Sequence, residues 1–171
     1  MKIELLENLI PTATDNSHAR FVELLKAKGF ILSVAESFTG GNIASEITSV
    51  SGASSVFYEG IVAYNEKAKI SRLGVQATSI ERFKPVSFEV AKEMVQGLLK
   101  QGNCNFAIST TGIAGPNSDD SGFPVGLCFI GIGYGDKILV YKFNLQGTRS
   151  EIINQGTDLA IRLAIDFIKN I

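Results

Sequence analysis

The sequence has few of the side chains that metal and disulfide sites require. Its 171 residues include one histidine, His18, and two cysteines, Cys104 and Cys128. There is no HExxH motif and no Cys/His cluster with zinc-ligand spacing, and the acidic pair Asp119–Asp120 lies in a loop whose acids are expected to be solvated. Both cysteines fall in predicted buried strands, where a thiol packs as a small apolar group. We therefore expect no metal site and no disulfide.

The sequence also lacks a charge imbalance and a long apolar run. Its 16 basic and 17 acidic side chains give a net charge of -1, and no dense basic run is present, so a nucleic-acid partner is not expected. Glu4, Glu7 and Pro11 interrupt the N-terminal segment before a signal-peptide core forms, and no stretch is long enough to cross a bilayer. We expect a cytoplasmic protein with no membrane partner.

What is present is an apolar content of 45%, enough for a core that is covered on two sides. No internal repeat or linker divides the chain, so residues 1–171 are expected to form one domain. Hydrophobic periodicity predicts helices at 17–28, 42–50, 65–74, 87–100 and 148–171 and strands at 30–35, 56–64, 105–109, 125–134 and 137–143. The last two strands flank Gly135-Asp136, which favours an antiparallel hairpin. The pattern predicts an α/β fold with three α/β/α layers and a mixed, mostly parallel sheet with at least one reversed strand.

Three corners of this predicted fold are candidates for a functional site. They are ESFTGG at 36–41, YNEKAK at 64–69 and TTGIAGP at 110–116. Ligands of open α/β sheets bind where the carboxyl ends of strands meet helices, so these corners are expected to lie together. The third corner, with its hydroxyls and glycines, is suited to hold a phosphate or a ribose.

Ser37 is the candidate nucleophile of the first corner. It precedes a predicted helix, where backbone N–H groups and the positive helix end would stabilise an oxyanion. The alternative is that Ser37 or Thr39 only caps this helix. The candidate base is Lys69, because His18 lies far upstream with no evident acid to orient it. A desolvated lysine can serve as a base, and Tyr64 would assist it, whereas the alternative is a solvated surface lysine.

Arg149 is the candidate anion ligand. It lies in the first turn of the last predicted helix, where a cation opposes the helix dipole and a bound anion would remove the conflict. From the sequence, it is equally open that Arg149 is a surface side chain in solvent.

With these segments in order, the sequence resembles the C-terminal domain family of the competence-damage-inducible protein CinA, which includes stand-alone nicotinamide-nucleotide amidases. The resemblance covers the chain from about Leu24 to its end. The segments that carry it are AESFTGG (35–41), SGASSVFYEGIVAYNEKAK (51–69), LGV (73–75), TTGIAGP (110–116), PVG (124–126) and QGTR (146–149).

The resemblance implies hydrolysis of the carboxamide of nicotinamide mononucleotide, with Ser37 as nucleophile, Lys69 as base and Tyr64 assisting. The residues that it and the corners suggest for substrate binding are Glu36, Thr39, Gly40, Gly41, Thr111, Gly112, Gly115 and Arg149. It implies no metal or organic cofactor, and it implies a homo-oligomer, with a dimer favoured.

Two other functions stay open from the sequence. Glu66 lies close to Lys69 in the sequence, and an acid there would hold the lysine protonated, which favours a nucleotide-binding regulatory module without turnover. Glycine-rich corners also suggest a phosphate-transferring enzyme, but a Walker lysine and metal-binding acids are missing.

Overall fold

A computed structural model of the protein describes residues 2–9, 11, 17–118 and 122–171. The secondary-structure elements follow one another along the chain as strands and helices in alternation. They are β1 (Lys2–Glu7), α1 (Ser17–Lys28), β2 (Leu32–Glu36), α2 (Asn42–Thr48), a short 3-10 helix (Ala53–Ser55), β3 (Phe57–Val62), α3 (Glu66–Leu73), α4 (Ala77–Phe83), α5 (Phe88–Lys100), β4 (Phe106–Gly112), β5 (Leu127–Tyr134), β6 (Lys137–Asn144) and α6 (Arg149–Lys169).

The strands form one six-stranded sheet with the order β1-β6-β5-β4-β2-β3. β2 pairs in parallel with β3 and β4, and β1 pairs in parallel with β6. β5 is antiparallel to both of its neighbours, β4 and β6, and among the described strands it alone runs in the reverse direction. The predicted mixed, mostly parallel sheet is confirmed, as is the β5–β6 hairpin with Gly135-Asp136 at its turn.

Helices cover both faces of the sheet because successive strand residues point to opposite sides. In β4, Phe106 and Ile108 pack into one apolar cluster with α1, α2 and α6, while Ala107 faces a second cluster with α3, α4 and α5. The first cluster is centred on rings, with Phe106 stacked on Phe30 and edge-on to Phe21. The three-layer α/β/α prediction is therefore confirmed.

Side-chain caps fix the starts of α5 and α6. The Ser87 side chain accepts the N–H of Val90 and caps α5. Thr148 and Glu151 form a complete capping box at the start of α6. These bonds fix where α5 and α6 begin, and α6 thereby places Arg149 in its first turn.

The sequence does not predict β1, the short 3-10 helix or α4, and β4 continues beyond the predicted end at Ser109 to Gly112. The extension arises because β5 keeps pairing with β4 as far as Gly112 and Cys128. The small residues Thr110 and Thr111 are thus strand residues, although their composition resembles that of a loop.

Cys104 and Cys128 are buried free thiols, as predicted, but only Cys128 lies in a strand, because Cys104 comes just before β4. Burial raises the pKa of Cys128 to about 12. Among the described residues, no helix is long and apolar enough to span a membrane. The Asp119–Asp120 pair lies outside the described residues.

Candidate active site

The three predicted corners meet at the carboxyl ends of β2, β3 and β4. The last residue of β2, Glu36, is level with Val62 of β3 and Thr110 of β4, so the three chains leave the sheet at one edge. A cavity of about 560 Å³ opens there. It is lined by residues of each corner, including Ser37, Lys69 and Thr111.

Ser37 and Lys69 are in direct contact inside this cavity. Lys69 Nζ donates a hydrogen bond to Ser37 Oγ with a length of 2.9 Å. Ser37 is 7% exposed and Lys69 only 2%, so water competes little for either group. α3 makes this contact possible, because the Asn65 side chain caps its start and Lys69 follows on its buried side.

The environment of Lys69 favours its neutral amine. Burial lowers the pKa of Lys69 from 10.5 to about 8, and the negative charge of Glu66 opposes this shift without cancelling it. The sequence correctly indicates that Glu66 raises the pKa of the lysine, but desolvation is the larger effect and lowers it. The amine therefore loses its proton far more readily than that of an exposed lysine, and the neutral form becomes the major one above about pH 8.

Glu36 organises the corner that carries Ser37. Its carboxylate is 1% exposed and accepts three backbone N–H groups, from Gly41, Ile43 and Ala44, at 2.9 to 3.1 Å. It thereby occupies the positive end of α2, the feature that the sequence interpretation offered to Ser37. The helix end stabilises a buried carboxylate and is not the donor site for a bound ligand.

Other donors remain at this corner. The Ser37 N–H is bound to the Thr110 carbonyl at 3.0 Å, and the Thr39 and Thr110 hydroxyls contact each other at 2.8 Å. Within the described part of the chain, the backbone N–H groups of Phe38 and Thr39 have no hydrogen-bond acceptor. Two adjacent peptide donors next to a serine are the groups that an oxyanion requires.

Arg149 lies at the rim of the cavity together with Tyr64. One guanidinium nitrogen donates to the Gly115 carbonyl at 2.6 Å and the other to the Tyr64 hydroxyl at 2.8 Å. Tyr64 is 58% exposed, so this pair faces solvent. The structure therefore places the Tyr64 hydroxyl on Arg149, whereas the sequence interpretation placed it on the lysine.

The predicted substrate-binding residues divide into two groups. Thr111, Gly112, Gly115 and Arg149 line the cavity, and the Thr111 hydroxyl donates to the Pro85 carbonyl at 2.7 Å. The other predicted residues belong to the same corner as Ser37 but do not line the cavity. They are Glu36, Thr39, Gly40 and Gly41.

Pro85 and Val86 line the cavity although none of the three corners contains them, whereas Phe38, which also lines it, belongs to the ESFTGG corner. Pro85 and Val86 come from the connection between α4 and α5, and their side chains are apolar. Lys84, just before them, has a positive φ of 69°, which is rare for a residue with a side chain.

His18 is paired, contrary to the expectation that no acid orients it. Its Nδ1 lies 3.1 Å from a Glu46 carboxylate oxygen, between α1 and α2. It does not line the cavity. Across the residues that the structure describes, no cluster of three His, Cys, Asp or Glu side chains is arranged to hold a metal ion.

Comparison with known proteins agrees with this architecture. The family model described as the CinA C-terminal domain matches residues 14–168. A CinA-like protein of Kosmotoga olearia is 43% identical over 148 residues, which is 86% of this chain and 35% of that protein. A CinA-like protein of Flavobacterium psychrophilum is 42% identical over 86% of this chain and 36% of its own length. The chain thus spans about a third of these relatives.

Solved structures resemble the chain over nearly all of their length. The competence/damage inducible protein CihA of Agrobacterium tumefaciens has a TM-score of 0.85 and 32% identity, covering 93% of this chain and 98% of its own. A competence-damaged protein (CinA) superfamily protein of Klebsiella pneumoniae has a TM-score of 0.88 and 26% identity, covering 92% and 100%. By sequence and by fold, the chain belongs to the CinA C-terminal domain family.

Proposed function

We propose that the protein is an amidase that hydrolyses the carboxamide of nicotinamide mononucleotide to nicotinate mononucleotide and ammonia. The observation that carries the proposal is the buried 2.9 Å contact between Lys69 Nζ and Ser37 Oγ. A serine hydroxyl is a weak nucleophile until a base takes its proton, and a lysine can be that base only when its pKa is lowered. Both conditions are met in this pair.

In the first half of the reaction, Ser37 Oγ attacks the carboxamide carbon as its proton passes to the neutral Lys69 amine. The oxyanion that forms accepts hydrogen bonds from the free backbone N–H groups of Phe38 and Thr39. Each such donor contributes about a hundred- to a thousandfold to the rate. The C–N bond then breaks, and protonated Lys69 returns its proton to the departing nitrogen, which leaves as ammonia.

In the second half, water attacks the acyl-serine ester and gives its proton to the Lys69 amine. Collapse of the second tetrahedral intermediate breaks the C–Oγ bond, releases the carboxylic acid and passes the proton from Lys69 to Ser37 Oγ. The acid then loses its remaining proton to solvent and is the carboxylate product. Each step uses only the hydroxyl, the amine and the backbone donors. The proposal needs no metal and no organic cofactor.

The rim supports recognition of a mononucleotide. Arg149 is a guanidinium whose geometry suits a phosphate, and it is held toward the cavity by Gly115 and Tyr64. The cavity of about 560 Å³ is in the range of sites that enclose small ligands. We propose that the phosphate binds at Arg149, with Tyr64 positioning that side chain, while the pyridine carboxamide reaches Ser37.

We further propose that residues 1–171 act as one domain and that the protein functions as a homodimer. The first part rests on the single sheet that all six strands share. The second rests on the family resemblance, and sedimentation of the purified protein tests it.

The proposed function is tested with purified wild-type protein and Ser37→Ala, assayed for ammonia release from nicotinamide mononucleotide. Wild-type protein is expected to release ammonia, and the variant to release none while keeping its melting temperature, because only one oxygen is removed. Full activity in Ser37→Ala would refute the nucleophile assignment. Tight mononucleotide binding by the wild type without product at any pH would instead identify a regulatory binding module.

A further inference from the structure

Gly156 is a feature of the sequence that the proposed reaction does not use. It lies in the middle of α6, where a glycine weakens a helix relative to alanine because its backbone is freer in the unfolded chain. Its neighbours in the structure explain its presence. A Cβ at Gly156 would lie 2.5 Å from Cε2 of the Phe38 ring and closer still to its Cζ.

The Phe38 ring is confined on its other side by a second glycine. A Cβ at Gly112, the last residue of β4, would lie 2.9 Å from Cδ1 of the same ring. The ring is 3% exposed and belongs to the apolar cluster of α1, α2 and α6. We call the space between Gly112 and Gly156 the Phe38 socket.

Phe38 follows Ser37 directly, so the socket fixes the peptide unit that joins them. The other side of Ser37 is held by its N–H bond to the Thr110 carbonyl. A shift of the ring would therefore move the Ser37 backbone and, with it, the oxygen that contacts Lys69. Misplacement of a reacting group by about 1 Å can lower a rate a hundredfold.

α6 also connects the socket to the rim of the cavity. Arg149 lies about two helical turns before Gly156, so both face the site from the same side of the helix. The Arg149 side chain is held at Gly115 and Tyr64, while Gly156 receives the ring. One rigid helix thus sets both the proposed phosphate ligand and the nucleophile.

We propose that Gly156 is a positioning residue, whose missing side chain lets the Phe38 ring lie against α6 and so holds Ser37 Oγ at Lys69. The contribution to rate rests on the proposed amidase function, but the contribution to geometry does not. Gly156 does not line the cavity, so it acts through Phe38 and touches no substrate.

The test compares Gly156→Ala with Asn154→Ala, an exposed position in the same part of α6. Crystal structures of the wild type and both variants give the distance from Ser37 Oγ to Lys69 Nζ. We expect hydrogen-bond length in the wild type and in Asn154→Ala, and a separation beyond hydrogen-bond range in Gly156→Ala. In the amidase assay, kcat of Gly156→Ala should fall by about a hundredfold with little change in KM.

Phe38→Leu supplies a double-mutant cycle. Leucine ends at its δ carbons and lacks the ε and ζ atoms that an alanine at 156 would meet, so Gly156→Ala should cost much less kcat in the Phe38→Leu background. An equal loss in both backgrounds, or an unchanged Ser37–Lys69 distance in Gly156→Ala, would overturn the proposal. So would a wild-type crystal structure without the contact.

Failure of Gly156→Ala to fold and inactivity of the wild type would each still leave the proposal testable. If Gly156→Ala does not fold, Phe38→Leu alone carries the test: its half-empty socket should lengthen the Ser37–Lys69 contact and lower kcat, and an unchanged contact would overturn the proposal. If wild-type protein releases no ammonia from nicotinamide mononucleotide, the proposed function fails, and the crystallographic distances still decide the role of Gly156.

Discussion

Glu36 and Lys69 lie in the same part of the molecule and are both almost completely buried, yet their charged groups have very different hydrogen-bond partners. The Glu36 carboxylate accepts three backbone N–H groups at the start of α2. The Lys69 nitrogen has a serine hydroxyl as its hydrogen-bond partner and no ion pair among the described residues. The carboxylate is thus held by the backbone itself, whereas the ammonium has little to replace its lost hydration.

The difference teaches that burial alone does not make an ionisable group reactive. Burial disfavours the charged form of any side chain, and hydrogen bonds to that form compensate for it. Glu36 has such compensation and works as an anchor for the corner. Lys69 lacks it, its pKa falls to about 8, and the amine becomes available as a base.

Lys69→Met is expected to give the largest effect, and it separates the role of Lys69 in catalysis from its role in stability. Methionine retains most of the apolar length of the side chain but cannot take a proton, so kcat should fall by about a hundred- to ten-thousandfold. Steady-state kinetics measure the loss. The free energy of unfolding should stay the same or rise, because a desolvated amine is removed from the core.

Lys100→Met, at an exposed position on α5, is the matched control and should keep full activity. If Lys69→Met instead unfolded the protein while its residual folded fraction kept normal kcat, Lys69 would be structural, and the contrast with Glu36 would disappear.

Glu36→Gln is expected to show the opposite behaviour, a loss of stability. The amide keeps one acceptor oxygen and turns an N–H₂ group toward backbone donors, so the free energy of unfolding should fall by about 1 to 3 kcal/mol. Urea denaturation measures it, with the exposed Glu23→Gln as control, for which little change is expected. Stability equal to wild type would show that the three N–H bonds do not anchor the corner.

The pH dependence of stability gives a smaller effect with a definite sign. The pKa of Lys69 is lowered on folding, so between about pH 8 and 10.5 the unfolded chain binds more protons than the folded one. Stability contributed by this residue should therefore rise with pH across that window. The contribution of Lys69 is the difference between the unfolding free energies of wild type and Lys69→Met, measured by denaturation at several pH values. If the two free energies changed with pH in parallel, the lowered pKa would be contradicted.

Glu66→Gln should give the smallest change. Glu66 raises the pKa of Lys69, so its removal should lower the apparent pKa in the pH profile of kcat/KM and leave the activity at high pH nearly unchanged. Glu81→Gln on α4 is the control. A profile that moves to higher pH would reverse the assigned direction of the Glu66 effect.

Local patterns predict those parts of the fold whose signals lie within one element. α5 and α6 carry their own capping residues, and the β5–β6 hairpin carries its own turn, so all three are predicted close to their observed bounds. β1 and α4 depend on partners far away in the sequence. β1 is a strand because it pairs with β6, and α4 begins where Glu93 of α5 accepts the Gln76 N–H and the Ser79 hydroxyl.

The candidate site shows the same division. The polar breaks after β2, β3 and β4 indicate which corners to examine, and Ser37 and Lys69 can be named from them. That the Tyr64 hydroxyl would bind Arg149, and that the Pro85 carbonyl would bind Thr111, could not be predicted, because these contacts join separate segments. In the sequence, Gly156 is only a residue with low helix propensity inside a predicted helix. The reason for a glycine there is found in the structure, where the Phe38 ring packs against it.

By itself, the sequence determined the layers, the reversed strand and the hydroxyl and amine that approach each other, because apolar period, turn residues and polar breaks act over a few residues at a time. Tertiary structure alone decided the lowered pKa of Lys69, the hydrogen bonds from the α2 amide groups to Glu36 and the packing of Phe38, next to Ser37, against Gly156. Each of these depends on desolvation and on contacts between distant segments, and both arise only when the chain is packed.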